Sequence, residues 1–326
     1  MESNIVPMVR RDISATGAIR LPAIIVAAGE QASRRFLEFF AANIRNANTR
    51  AAYAHAIGRF LDWCESRSLT LDSLEPIAIA AYIEKLMTVR SAPTVKQHLA
   101  AIKMLMDWLV IGQVLRFNPA ASVRGPRHVV KKGKTLVLCA EQARQLLDSI
   151  DASTLVGKRD RALIGAMVYS FARVSAVANM NVEDYWQNGK RWWLRLHEKG
   201  GKHHEVPAHH KAEDYLDVYL QAARIAGEGK TPLFRSADGR TDRLTARRMN
   251  RRDVWHMIRR RAGKAGLPVR TCCHTFRATG ITDYLENGGT IEKAQTIAAH
   301  ESPRTTKLYD RTSDEITLDE IERIRI

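Results

Sequence analysis

His274 and Arg277 stand three residues apart in the stretch Cys272-Cys273-His274-Thr275-Phe276-Arg277, which reads as helix. That spacing places an imidazole and a guanidinium on one helical face, where both can reach a single phosphate. Alone the pair is a weak signal, because a capping or core histidine has the same spacing. Its company sharpens it: His300 follows 23 residues after Arg277, then come Thr305 and Thr306, and Tyr309 lies nine residues after His300. A phenol, with a pKa of about 10, is inert at neutral pH unless neighbours remove its proton or stabilise the phenolate.

The charge balance points the same way. The 326 residues carry 51 Lys and Arg against 35 Asp and Glu, a formal net charge of +16 with a pI near 10. A polyanionic partner is the first inference, although net charge alone leaves open a basic protein with no nucleic-acid role. The charge is densest in residues 235–270, where twelve Lys and Arg face only Asp238, Asp242 and Asp253. Residues 244–264 read as one helix with Val254, Trp255 and Ile258 on its buried side. Arg247, Arg248, Arg251 and Arg252, with Arg259, Arg260 and Arg261, are then expected on a face that enters a DNA groove. Like charges at four-residue spacing destabilise a free helix, which weighs against a merely solvated face.

The elements that position these groups form two parts. From residue 31 to 112 apolar residues recur at three and four residue spacing, as in Tyr53, Ile57, Phe60, Leu61 and Cys64, and again in Leu99, Ile102, Leu105, Met106 and Leu109. This predicts a bundle of about four helices. Asn48 or Thr49 signals one helix start, and Ser91 with Pro93 another. Asn118-Pro119 and Gly125-Pro126 then mark a linker. It carries Arg116, Arg124, Arg127, Lys131, Lys132 and Lys134, with no acidic residue between Asp107 and Glu141. A strap along a phosphate backbone and a solvated flexible linker both fit. In the second part, residues 192–196 and 203–206 read as two strands joined by a turn at Lys199-Gly200-Gly201-Lys202, between helical stretches. The expected organisation is a leader over 1–30, a helical domain over 31–115, a basic linker over 116–137 and a second domain over 138–326. The class is mainly α with a small β-hairpin or sheet.

The four cysteines, Cys64, Cys139, Cys272 and Cys273, show no CxxC spacing and read as reduced thiols of a cytoplasmic protein. The apolar run Leu21 to Ala28 contains Pro22 and is too short to span a bilayer. Residues 1–30 fit either a reader of a second DNA site or a leader.

Taken together, the chain resembles the tyrosine recombinase, or phage integrase, family over nearly its whole length. Ile297-Ala298-Ala299-His300-Glu301-Ser302-Pro303-Arg304-Thr305-Thr306-Lys307-Leu308-Tyr309 is similar to the family's nucleophile segment. Arg173-Val174-Ser175 resembles the first catalytic arginine motif, and His197-Glu198-Lys199-Gly200-Gly201-Lys202 resembles the lysine-bearing hairpin. The resemblance implies a helical core-binding domain and a catalytic domain clamped on duplex DNA. It also implies a 3′-phosphotyrosine intermediate on Tyr309, with Arg173, Arg277 and His300 on the phosphate, His274 as base or relay, and Lys199 as acid to the leaving oxygen. Lys202 and the linker lysines Lys131, Lys132 and Lys134 are expected to touch DNA. No metal or other cofactor is implied, because the arginines do the neutralising.

Three features depart from the pattern or compete with it. The family commonly has an acidic residue three after its first arginine, where this chain has Ala176, so Glu183 or Asp184 is expected to hold Arg173 instead. Ala299 stands where a glycine usually precedes the last histidine. His197, His203, His204, His209 and His210 are dense enough to suggest zinc, but neighbouring strand histidines face opposite ways and no cysteine or carboxylate pattern completes a tetrahedral set. The tail, Asp310 to Ile326, holds six acidic and three basic residues, with Ile316, Leu318, Ile321 and Ile324 at helical spacing. The resemblance implies that it docks on a neighbouring protomer in a DNA-bound tetramer; packing on its own domain is the alternative. A type IB topoisomerase and a DNA-binding regulator without catalysis are the rival functions.

Overall fold

A computed structural model describes residues 21–130, 133–198, 201, 203–239, 241–310 and 321–322. Lys131, Lys132, Lys199, Lys202 and almost all of the tail after Asp310 therefore lie outside the described residues. The chain divides into two compact units, one ending at Val129 and the other beginning at Val130.

The first unit is helical. It contains α1 (Ala23–Ala27), α2 (Glu30–Glu38), α3 (Ala47–Glu65), α4 (Pro76–Val89) and α5 (Ala92–Ile111), with a π-helical turn, Phe39–Asn43, after α2. The cap of α3 is Asn46, two residues ahead of the expected signal, and its Oδ1 accepts from the backbone N–H groups of Asn48 and Thr49 at 3.0 and 3.2 Å. Ser91 caps α5, as its Pro93 suggests. The predicted faces supply the core: Ile57, Phe60 and Leu61 of α3 pack with Ile102, Leu105 and Leu109 of α5. Each such buried side chain contributes about 1.5–3 kcal/mol.

The expected linker does not stand apart from either unit. Ala120 and Val123 are buried in the first core, and Lys103 Nζ donates to the Ala121 carbonyl at 3.0 Å. Beyond the division, Gly133 N–H donates to the Leu308 carbonyl at 3.0 Å and Leu138 N–H to Thr279 Oγ1 at 3.0 Å, both inside the second unit. Apolar residues at 120 and 123 outweigh the breakers around them.

The second unit holds α6 (Ala140–Asp148), α7 (Leu155–Tyr169) and α8 (Val174–Ala178), then strands β1 (Tyr185–Asn188), β2 (Arg191–His197) and β3 (His203–Pro207). These strands make one antiparallel sheet in the order β1-β2-β3, so the expected hairpin has a third strand paired through Tyr185 and Leu194. Next come α9 (His210–Ala223), β4 (Arg235–Ala237), β5 (Leu244–Arg248) and α10 (Arg251–Lys264). The helix expected from 244 thus starts at Arg251. Asn250 caps it and Asp253 returns the bond, a reciprocal box that fixes the start and leaves Arg247 and Arg248 on a strand. The unit ends with α11 (Cys273–Glu286), α12 (Ile291–Ile297) and α13 (Pro303–Lys307).

Helix α11 is buried on nearly every side. It approaches α7 so closely at Gly280 that an added Cβ would lie 2.2 Å from the Val168 carbonyl oxygen. Among the described residues no helix is long and apolar enough to cross a membrane.

Candidate active site

Arg277 is the best-buried charged group of the site, 2% exposed on α11. Its guanidinium donates to two backbone carbonyls, Phe171 O and Ala298 O, the second at 2.6 Å. Both anchors belong to turns with left-handed backbone: Phe171 has φ 54° and Ala299 has φ 48°. Such values cost a side-chain-bearing residue about 1–2 kcal/mol, so the surrounding bonds must hold them. Arg173 lies two residues beyond the first turn and His300 two beyond Ala298. One guanidinium therefore ties together the two turns that deliver those side chains.

The packing around Arg277 sets the electrostatics. Burial, followed by the charge of Arg173, lowers its pKa to about 10, which leaves it charged at neutral pH. The Tyr309 phenol lies within electrostatic reach of the Arg277 guanidinium. The Tyr309 ring stacks on His300, with centroids 5.7 Å apart and planes within 8°. Thr282 Oγ1 donates to the Tyr309 carbonyl at 2.8 Å, fixing the backbone behind the phenol. His300 Nδ1 lies 2.9 Å from Thr306 Oγ1, so the threonine flagged by sequence orients this ring. Burial first, then Arg277 and Arg173, push the His300 pKa down to about 3. His274 opens to solvent at the first turn of α11, yet lost hydration, then Arg277 and Arg173, also lower its pKa. Two guanidinium charges thus stand among imidazoles that are neutral, and such a site attracts an anion.

Arg173 is the N-terminal cap residue of α8, with its side chain 31% exposed. It is held by neither Glu183 nor Asp184. Asp184 is engaged by the Asn181 N–H at 2.8 Å and by His197 Nε2 at 3.2 Å. The partner is Glu198, whose carboxylate pairs with the Arg173 guanidinium and is only 4% exposed. Strand alternation carried past β2 would have found it, because Leu194, Leu196 and Glu198 share the buried face.

The histidines raised as a zinc alternative serve other contacts. His204 Nε2 donates to the Ile297 carbonyl at 2.9 Å, tying β3 to the turn before His300. His209 caps α9 and stacks on Tyr169 at 4.2 Å. Among the described residues no three His, Cys, Asp or Glu side chains gather as metal ligands.

The basic residues divide in the same manner. Lys134, Arg247, Arg251 and Arg252 are exposed. Arg248 is committed inside the fold, donating to the Ala178 and Met180 carbonyls at 3.0 and 2.7 Å and to Asn181 Oδ1 at 2.5 Å. Arg261 likewise turns inward to the fully buried Asp160, at 2.8 Å, beside the Arg159 pair at 2.5 Å. Four-residue periodicity could not separate these from their exposed neighbours.

Comparison with known proteins adds an independent line. The sequence model of the phage integrase family matches residues 137–315, and that of the phage integrase N-terminal SAM-like domain matches residues 34–113. The chain is 30% identical over 233 residues to the tyrosine recombinase XerC of Chlamydia muridarum, covering 71% of this chain and 70% of that one. It is 26% identical over 270 residues to the tyrosine recombinase XerD of Vibrio vulnificus, covering 82% and 86%. In fold it is similar to lambda integrase, seen as a tetramer bound to a Holliday junction, with TM-score 0.64 at 17% identity over 87% of this chain and 78% of that one.

Proposed function

Because this chain belongs to the phage integrase family of tyrosine recombinases, we propose that it exchanges DNA strands at specific sites through a 3′-phosphotyrosyl ester on Tyr309 and a Holliday junction. The observation that carries this reading is the convergence on one tyrosine: the Arg277 charge acts on the Tyr309 phenol and His300 stacks on its ring.

The chemistry follows from those groups. The Tyr309 oxygen attacks phosphorus while its proton passes to His274, whose lowered pKa keeps it a free base. Arg173, Arg277 and the His300 ring donate to the two nonbridging oxygens as charge builds on them. The bond to the 5′ oxygen breaks, its electron pair leaves with that oxygen, and Lys199 supplies the proton; this last role rests on the family resemblance. The ester conserves the bond energy, so the 5′ hydroxyl of a second strand reverses the step without a nucleotide cofactor. Integration, excision and resolution all reduce to two such exchanges.

The contacts with DNA are assigned by exposure and charge to Lys134, Arg247, Arg251 and Arg252, and by sequence to Lys131, Lys132 and Lys202. The acidic tail, residues 310–326, is assigned to a second copy within a tetramer. Supporting this is a cleft of about 530 Å³ lined by Leu147, Val168 and Tyr169, in which Arg144 and Lys211 outnumber Asp283 and leave a charge opposite to the tail. The tetrameric lambda integrase assembly, of the same fold, also supports it. Deleting residues 314–326 should abolish synapsis and spare DNA binding; unchanged synapsis refutes the assignment.

Trapping tests the central step. On a nicked site recovered by footprinting with the purified protein, wild type should leave a DNA adduct that survives denaturant, and Tyr309→Phe none. An adduct with Tyr309→Phe, or none with wild type, overturns the mechanism.

A further inference from the structure

Glu198 is the residue after β2 and continues its inward face. Residues Leu194 and Leu196 point into the core, and the same alternation carries the next inward position to a carboxylate with 4% exposure. A buried carboxylate stays ionised only when a charge or several donors meet it. Here that charge is Arg173. The two residues are 25 apart in sequence, Arg173 at the N-cap of α8 and Glu198 just past β2. Glu198 is also felt electrostatically at Arg277.

Position 176 offers Arg173 nothing, since Ala176 is a fully buried methyl group. Glu183 and Asp184 do not reach it either, and Asp184 is engaged with His197 and Asn181. One carboxylate therefore decides where the Arg173 fork points. It grips one end of the guanidinium and leaves the rest of a 31% exposed side chain facing the site.

We propose that Glu198 is the positioning residue for Arg173, aiming its guanidinium at one nonbridging oxygen of the scissile phosphate. This rests on the strand-exchange reading above. Uncoupling Glu198 leaves Arg173 present and charged but unaimed. The loss then falls on cleavage rather than on DNA affinity, because the charge that attracts the backbone remains.

The test uses the full chain and suicide sites carrying the natural phosphate or either phosphorothioate diastereomer, Rp or Sp, at the scissile position. Sulfur is a poorer acceptor than oxygen, so an arginine aimed at one position makes the two diastereomers react unequally. Single-turnover cleavage by wild type should differ between them by about 10-fold, the effect of one weakened charged hydrogen bond. Glu198→Ala should cleave the natural site about 100-fold more slowly, as expected for a misplaced catalytic group, with affinity within about threefold. Its Rp to Sp ratio should also shrink at least about threefold, because the aim is lost. Glu198→Gln, which retains shape and one hydrogen bond, should fall between the two and serves if Glu198→Ala fails to fold. Equal cleavage by wild type and the variants overturns the proposal. So does a slow variant that keeps the wild-type Rp to Sp ratio, which marks a merely structural role. Failure of wild type to form any adduct on the natural phosphate instead overturns the strand-exchange reading itself.

Discussion

His300 stays neutral far below neutral pH, and that neutrality is measurable as stability. Its folded pKa is about 3, with burial the first cause and the charges of Arg277 and Arg173 next. In the unfolded chain the ring titrates at about 6.5. Since the folded value is the lower one, protons bind the unfolded chain preferentially. The stabilisation is complete above pH 6.5 and is lost progressively as pH falls toward 3. Between pH 7.5 and 5.0 the unfolded ring becomes almost fully protonated while the folded ring does not, which by linkage removes about 2 kcal/mol. Urea unfolding of wild type and His300→Gln at the two pH values isolates this contribution, because His274, lowered in the same direction, is present in both proteins and cancels. Wild type should lose about 2 kcal/mol more than the variant over that interval. Identical losses would mean that His300 is solvated or paired with an anion in the folded protein, and the neutral-donor role derived for it would fall with them.

Three further outcomes follow from backbone and charge geometry. Ala299→Gly relieves the φ of 48° and should stabilise the protein by about 0.5–1 kcal/mol after the added flexibility of the unfolded chain is counted, a thermal shift of about 1–4 °C; an unchanged or lower melting temperature contradicts the strained turn. Gly280→Ala drives a methyl group to 2.2 Å from the Val168 carbonyl oxygen and 2.8 Å from the Phe171 ring. It should cost about 3 kcal/mol in urea unfolding and slow cleavage, since Phe171 anchors Arg277. Arg247→Ala should reduce the slope of log affinity against log salt by about 1, whereas Arg248→Ala should leave the slope unchanged and lower stability. Equal slopes for the two variants would contradict the division between exposed and inward arginines.

What could be read from the sequence follows the range of the interactions involved. His274 and Arg277 share a helix, and Tyr309 follows His300 within one helix-turn-helix, so local spacing was enough to associate them. The partner of Arg173 was not local. Glu183 and Asp184 were favoured by nearness in sequence, but a salt bridge across 25 residues depends on the register of β2, and only strand alternation carried to Glu198 would have revealed it. The basic run failed for a related reason. Arg247 and Arg248 fit a helical and a strand pattern equally, and the deciding signal was Asn250 with Asp253, a capping box that places the helix start after them. In the linker, Gly and Pro signal a break in the chain, while the burial of Ala120 and Val123, which depends on tertiary packing, binds that stretch to the first core.

The two arginines of the site are held by different chemistry, and this sets what each can contribute. Arg277 is anchored by carbonyl oxygens, Phe171 O and Ala298 O, which carry no net charge. Among the described residues no carboxylate is paired with it directly, and it lies buried where a charge interacts strongly. Arg173 is anchored by the carboxylate of Glu198, so that pair is close to neutral and its value lies in direction rather than in charge. A lysine at 277 could keep the charge but not the two carbonyl bonds, because an ammonium has no planar fork to span two turns. Those turns carry Arg173 and His300, so losing the fork would unseat both at once. Tyr309 feels the same guanidinium electrostatically. In the proposed mechanism charge supply and geometry thus meet in one residue for the phosphate, while Glu198 directs the second donor, Arg173.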